Sequence, residues 1–254
     1  MPTERADILP LLRAGAPALG FTLDERQIDQ FELYYRTLVD WNSRVNLTAI
    51  TDYEQVQVRH FLDSLTIGTA LVKELGGKAP PPTGFRLLDI GTGAGFPGLP
   101  LKLVWPQIRL ALSDSIGKKT AFLTEVVGLL GLTHVEVITM RAEELGLSKA
   151  HRQRYDAVTA RAVASLPVLC EYCLPFVKID GWMLCPKKGD ISVEMEGAKK
   201  ASRILGGSVP VLHSFVLPGE EEKRFVVAIK KIRPTPPAYP RRVGLAKAEP
   251  LGQE

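Results

Sequence analysis

The 254-residue sequence predicts an α/β fold, a doubly wound sheet carrying a C-terminal antiparallel hairpin and an N-terminal helical extension. Three observations carry this prediction. Strand-length apolar runs alternate with helical patterns from residue 85 onward. The last two strand-like runs are separated only by Pro218-Gly219-Glu220-Glu221-Glu222, with no room for a crossover helix, so they pair as a hairpin. The first eighty residues space their apolar side chains helically.

In that extension, 1–80, Ile28, Phe31, Tyr35 and Leu38 recur at helical spacing behind Asp24, a residue type that caps helix N-termini. A second helix is expected over 60–75. The run 76–84, GGKAPPPTG, reads as a linker. Strands then fit 85–90, 108–113, 135–139, 157–160 and 182–186. Helices fit 97–104, 118–130, 166–176 and 191–205. The hairpin takes 209–216 and 224–231. The sheet domain therefore spans 84–233. The remaining 234–254 is a basic, Pro-rich tail, expected to be extended or disordered.

The composition, 45% hydrophobic and 24% charged, is that of an ordinary globular chain. No apolar run reaches spanning length and MPTERADILP has no signal-peptide pattern, so a cytoplasmic protein without a membrane partner is expected. Three cysteines are too few for a disulfide framework. The net charge of +4 is unevenly spread. From Lys223 onward eight Lys/Arg oppose only Glu249 and Glu254, which makes that end +6 and the rest −2. A basic end suits a polyanion such as RNA, and equally a solubilising tail. A monomer is the expectation.

The stretch 85–100, FRLLDIGTGAGFPGLP, concentrates the chemistry. An apolar strand ends in Asp89-Ile90, and Gly91, Gly93 and Gly95 follow at alternate positions, with Pro97 suited to a first helical turn. Glycines let a backbone approach a ligand closely. In one register Gly93, Gly95 and Gly98 form G-x-G-x-x-G, the dinucleotide pattern, which would make the chain a nicotinamide-dependent reductase. However, the strand ends at Ile90, so the first turn glycine is Gly91 and the register is D-x-G-x-G-x-G. That resembles motif I of class I S-adenosylmethionine (SAM) methyltransferases, which have a Rossmann-like sheet. SAM carries a sulfonium, so Asp89 near the turn is electrostatically sensible.

Asp114 ends the second strand, nineteen residues after Gly95, where a carboxylate can accept both ribose hydroxyls; a helix cap is the alternative. Arg141-Ala142-Glu143-Glu144 follows the third strand, where a loop can lie along an adenine, or the acids can be a solvated helix start. After the fourth strand comes Thr159-Ala160-Arg161-Ala162-Val163-Ala164-Ser165. The Asp/Asn-Pro-Pro-aromatic run of amine methyltransferases is absent there. Cys185 and the C-x-x-C of Cys170 and Cys173 read as buried core thiols, not as a nucleophile or a metal site. What remains suits an acceptor that needs no activation. Guanine N7 has an in-plane lone pair and no proton, so positioning and electrostatics suffice. Arg161 and the Lys187-Lys188-Gly189 turn are candidates to hold base and phosphate, because N7 and O6 form the edge that Arg and Lys read. Arg161 could instead contact the cofactor.

Separated segments then agree with one family. They are Trp41-Asn42 with Asn46-Leu47-Thr48, Arg59-His60-x-x-Asp63-Ser64-Leu65, and Asp89 through Gly98. They continue with Asp114-Ser115-x-x-Lys118-Lys119-x-x-Phe122-Leu123, Arg141-x-Glu143-Glu144, Arg161-Ala162-x-Ala164-Ser165 and Lys188-Gly189. Over 25–232 the chain resembles the bacterial small-subunit (16S) rRNA guanine-N7 methyltransferases, also called glucose-inhibited division protein B. The resemblance implies SAM as cofactor and a guanine of 16S rRNA, within the small subunit or a precursor, as acceptor. For the cofactor it implies Gly91, Phe96, Ala142, Glu143 and Arg161, with Asp114 and Ser115 near the ribose and Asp89, Gly93 and Gly95 in the turn. Asn46, Arg161 and Lys188 are the candidate catalytic residues. Arg59, His60, Lys118, Lys119, Lys187 and Lys188 are the candidate RNA contacts. His60 could equally be a packed helix residue, and of the adjacent Lys118 and Lys119 one is expected to face the site. A non-catalytic ribosome-assembly factor on the same scaffold is the remaining alternative.

Overall fold

In the computed structural model the described residues are 8–77 and 80–252. Part of the expected linker (78–79), the chain's first seven residues and the last two of the tail lie outside them. The chain opens with α1 (Pro10–Gly15), α2 (Glu25–Asn42) and α3 (Tyr53–Val56), which continues through a π-helical segment, Gln57–Leu62, into α4 (Asp63–Glu74). There follow β1 (Arg86–Ile90), α5 (Gly98–Val104), β2 (Arg109–Asp114), α6 (Gly117–Leu129), β3 (Val135–Thr139) and α7 (Ala142–Leu145). Next come β4 (Tyr155–Thr159), α8 (Leu166–Cys173), β5 (Val177–Lys188), α9 (Ser192–Leu205), β6 (Val211–Phe215), β7 (Arg224–Lys230) and α10 (Leu245–Ala248).

The sheet order is β3-β2-β1-β4-β5-β7-β6. The first five strands are parallel; β7 runs antiparallel to β5 and to β6. This is the Rossmann-like sheet with a terminal hairpin that the alternation implied. Strand order reverses between β1 and β4, and ligand crevices of such sheets open beyond the carboxyl ends at that point. The strand β5 starts at Val177, earlier than its apolar pattern suggests, because a register shift lets it pair with Tyr155 as well as with Ala157.

Helix α2 begins in a full capping box: Gln27 N–H donates to Asp24 Oδ1 at 2.8 Å and Asp24 N–H to Gln27 Oε1 at 3.0 Å. Its inward face is Ile28, Phe31, Tyr34 and Leu38, with Tyr35 only half-buried. The tyrosine expected inward was one position off, because 3.6 residues per turn lets either neighbour complete the stripe. Phe31, Leu38, Phe61 and Leu65 share one apolar core with Leu87, Leu110 and Leu101 of the sheet side, so the N-terminal helices cover one face of the sheet. The other face is covered by α7 to α10, around Leu88, Val158, Leu169, Phe176 and Ala246. All three cysteines are buried there. Among the described residues no helix is long and apolar enough to cross a membrane.

The tail departs from expectation. Its described part, 234–252, is packed on the core: Glu171 on α8, fully buried, receives the Arg241 guanidinium on both oxygens and the Arg241 N–H at 2.7 Å. Composition predicted disorder because it counts cations without seeing their partners.

Candidate active site

Two adjoining cavities open at the carboxyl ends of β1, β2, β3 and β4, and share Gly91, Lys119 and Ala162. The smaller, about 240 Å³, lies over β2 and β3 and includes Ser113, Asp114, Ser115, Ala142, Glu143 and Tyr172. The larger, about 710 Å³, lies between the N-terminal helices and the hairpin and reaches Thr48, His60, Phe96, Arg161, Lys188 and Arg224.

The glycine-rich turn between β1 and α5 separates them. Gly91 and Gly93 adopt φ of 63° and 61°, which only glycine takes without strain. A Cβ at Gly93 would meet nothing within 4 Å, so its backbone faces open space. Gly95 serves another purpose: a Cβ there would lie 2.4 Å from Leu99 Cδ1 and 2.7 Å from the Tyr34 hydroxyl oxygen. That hydroxyl donates to the Ala94 carbonyl, so α2 braces the turn from behind. Gly95 is thus a packing glycine, lining neither cavity, and not the cofactor contact expected of it.

Asp89 needs a similar correction. It is fully buried and lines neither cavity. Its Oδ2 accepts from Thr92 Oγ1 at 2.6 Å and from Gly98 N–H at 2.9 Å, while Oδ1 has no partner. Burial pushes its carboxyl up to about 7 against the opposing pull of those two donors. Asp89 therefore ties the turn to the start of α5 instead of facing a sulfonium. The same bond disfavours the dinucleotide register, since a carboxylate already occupies the Gly98 amide at the helix start, where a pyrophosphate would sit.

Asp114, unlike Asp89, lines the small cavity. One oxygen accepts from Gly93 N–H at 3.0 Å, the other from Ile116 N–H at 2.9 Å, and Lys119 Nζ lies 3.8 Å away. Both the ribose and the cap readings of Asp114 are thus compatible with its place. Of the lysine pair, Lys119 lines the cavities and Lys118 is exposed outside them. Ser115, Ala142 and Glu143 line the small cavity. Glu143 is buried, accepts from Gly244 N–H at 3.0 Å and, together with burial, pushes the Tyr172 phenol up to about 12.

The wall of the large cleft is built around Arg161. Its guanidinium donates to Asp63 Oδ2 at 3.0 Å and to the Arg59 carbonyl at 3.2 Å, lies 3.2 Å from His60 Nδ1, and sits over the Phe96 ring. Phe96 in turn stacks on His60 and Tyr34. His60 Nδ1 lies between the Arg161 guanidinium at 3.2 Å and the Arg59 carbonyl at 3.1 Å, and Nε2 pairs with Thr48 Oγ1 at 2.9 Å. Burial, then the Arg161 charge, lowers His60 to about 3, which keeps it neutral. His60 is a packed, hydrogen-bonded wall residue. The π-helical segment that carries Arg59 and His60 is a common device for re-aiming side chains at functional sites.

Asn46 does not join this wall. It is exposed and outside both cavities, while the neighbouring Thr48 lines the cleft. Asn42 is structural, its Oδ1 accepting from the N–H groups of Leu47 and Thr48 at 2.8 and 2.9 Å. Lys187 lines the cleft but is committed to the Ala164 carbonyl at 2.8 Å and to Glu194 at 2.7 Å. Lys188 is exposed at the rim, 4.0 Å from Glu222, and Arg59 is held by Glu220 at 2.7 Å. Sequence reasoning missed Arg224, which the β5–β7 register sets opposite Lys188. It bonds Glu220 at 3.0 Å, and its Nε forms a long ion pair with Asp63 Oδ1 at 3.9 Å but makes no hydrogen bond among the described residues. Six cations and four carboxylates line this cleft.

The family model described as GidB, rRNA small subunit methyltransferase G, matches residues 27–223. The chain belongs to the GidB family. Curated relatives named ribosomal RNA small subunit methyltransferase G include proteins of Roseiflexus sp., 48% identical over 96% of this chain and 100% of theirs, and of Acetivibrio thermocellus, 44% identical over 99% and 100%. A third, from Dehalococcoides mccartyi, is 47% identical over 93% of this chain and 97% of its own. Among solved structures, the Haemonchus contortus phosphoethanolamine N-methyltransferase 2 in complex with S-adenosyl-L-methionine superposes with a TM-score of 0.53 at 15% identity, over 76% of this chain and 60% of that one. That likeness speaks for the fold of this GidB-family chain.

Proposed function

We propose that this protein is a SAM-dependent methyltransferase that modifies N7 of a guanine in small-subunit (16S) rRNA, acting as a cytoplasmic monomer on the small ribosomal subunit or a precursor. The observation that carries this reading is the pair of adjoining cavities. A nucleoside-sized pocket meets a wide, net-cationic cleft at Gly91, Lys119 and Ala162. The family membership supplies the acceptor.

The small cavity fits SAM on its own chemistry. Asp114 and Glu143 offer carboxylates to hydroxyl and amine donors, Gly91 lines the wall, and at the edge of the neighbouring cleft Gly93 leaves the backbone bare. Ser115 and Ala142 complete that wall. SAM, when bound, supplies an electrophilic methyl group. On the other side, Arg161 presents donors suited to O6 of a guanine, which leaves the N7 lone pair free for the methyl group, and Lys188, Arg59, Arg224 and Lys119 suit its phosphates. N7 carries no proton, so no base is needed, and none is offered: His60 is held by Thr48 and Arg161. The buried thiols do not reach the cleft, and burial pushes Cys170 and Cys173 up, away from thiolate. Methyl transfer then proceeds by positioning, with no covalent enzyme intermediate.

The test is incubation with methyl-labelled SAM and unmethylated bacterial small subunits, followed by nucleoside analysis. Label in 7-methylguanosine of 16S rRNA is expected. Label in another nucleoside would overturn the acceptor.

A further inference from the structure

We propose that the C-terminal segment 234–252 is a working part of the cofactor site, in which Lys247 contacts the adenosine moiety and Gly244 sets the Glu143 carboxylate beside it. The proposal rests on the reading of the smaller cavity as the nucleoside pocket.

The segment is fastened at three points. Thr235 Oγ1 donates to the Leu205 carbonyl at 2.8 Å and also meets the ammonium of the fully buried Lys231, which donates to the Leu174 and Leu205 carbonyls at 2.8 and 2.9 Å. Arg152 donates to the carbonyls of Thr235, Pro236 and Tyr239 at 3.0, 3.1 and 2.7 Å. Glu171, fully buried on α8, is matched by Arg241 through three side-chain contacts of 2.7 to 3.0 Å. A carboxylate so deeply placed needs its partner, so Arg241 fixes the segment's position and not merely its charge.

From that anchor the chain is aimed at the cavity. Gly244 N–H donates to Glu143 Oε1 at 3.0 Å, Ala246 is buried against the same core as Leu145, and Lys247 lines the cavity with Asp114, Ser115, Ala142 and Glu143. Among the described residues Lys247 forms no ion pair, while the carboxylates near it are engaged by backbone N–H groups. An ammonium offers only donors, so on an adenosine its partners are ring nitrogens or ribose oxygens. The outward neighbour Arg242 is exposed and lines neither cavity. The tail's basic residues are thus divided by orientation, and the inward ones serve the cofactor.

SAM titration calorimetry on the full chain tests this. Lys247→Ala is expected to raise the Kd for SAM about tenfold, the scale of one charge-assisted hydrogen bond, with an unchanged melting point, since Lys247 is exposed on a short helix. Arg241→Ala is expected to raise it at least as far and to lower the melting point. Arg242→Ala is the control and should bind SAM as the wild type does. The proposal is overturned if Lys247→Ala binds SAM with wild-type affinity, including the case in which it weakens only the capture of small subunits, which would make the tail an RNA contact. Failure of the wild type itself to bind SAM would instead overturn the reading of the cavity.

Discussion

The two cavities are assembled in opposite ways. The smaller is made from the ends of successive strands, each residue a few positions beyond an apolar run: Gly91, Asp114, Ala142 and Ala162. The larger is made from elements far apart in the chain, with Arg59 and His60 from the π-helical segment, Arg161 after β4, and Arg224 from the hairpin. The first is imposed by the fold itself, since any parallel sheet gathers its strand ends on one side. The second depends on how added elements pack on that sheet. Damage to the first should therefore appear in cofactor affinity, and damage to the second in RNA recognition.

The largest expected effect concerns the two buried groups on either side of the turn, and it is read as stability against pH. Asp89, raised to about 7 from an ordinary carboxyl value near 3.8, favours the folded state increasingly as pH falls from 7 toward 4. His60, lowered from 6.5 to about 3, does the reverse: its contribution is complete above 6.5 and is lost as pH falls toward 3. Each is worth on the order of 4 kcal/mol at full extent, and in the wild type they oppose each other between pH 4 and 6.5. Asp89→Asn should make the protein acid-labile, and His60→Gln should make it more stable on acidification. Urea unfolding at pH 4.5 and 7 measures both; parallel pH slopes for the two variants would refute the assignment.

Asp114→Ala comes next. It removes the acceptor for Gly93 and Ile116 N–H and a carboxylate from the small cavity, and should weaken SAM binding by about 3 kcal/mol, roughly two orders of magnitude in Kd by calorimetry. Wild-type SAM affinity in this variant would move the nucleoside end elsewhere. The glycines of the turn then separate packing from approach. Gly95→Ala, at φ 96° and 2.4 Å from Leu99, should lower stability by about 2 kcal/mol, and Gly93→Ala by roughly 1 kcal/mol from backbone strain alone. Equal losses in thermal unfolding would argue against a brace by α2. The smallest effect is at the rim. Lys188→Ala should leave SAM affinity unchanged, raise the KM for small subunits about fivefold, and flatten its salt dependence by roughly one phosphate contact. A change in SAM affinity there would break the division between the cavities.

Local pattern made much of this legible. The strand-helix alternation, the Asp24 cap, the hairpin and the strand-end positions of Gly91 and Asp114 follow from periodicity and turn chemistry, which act over a few residues. Asp89 was misread for a physical reason: an acid beside a glycine-rich turn can point into the ligand or beneath the loop, and sequence is the same in both cases. Asn46 failed similarly, because the turn held by Asn42 swings Thr48, not Asn46, toward the cleft. Arg224 carried no local signal at all; an arginine after three glutamates reads as a solvated charge until strand register sets it beside Lys188.

By itself the sequence determined the sheet, its hairpin and the family, because hydrophobic period, glycine placement and motif spacing are short-range properties of a chain. Only the tertiary structure decided which charges face a ligand. Asp89 and Arg241 went inward, Lys118 outward, and the tail onto Glu143, because a charged side chain's role is fixed by the partner that packing brings within about 3 Å, and that partner can lie a hundred residues away.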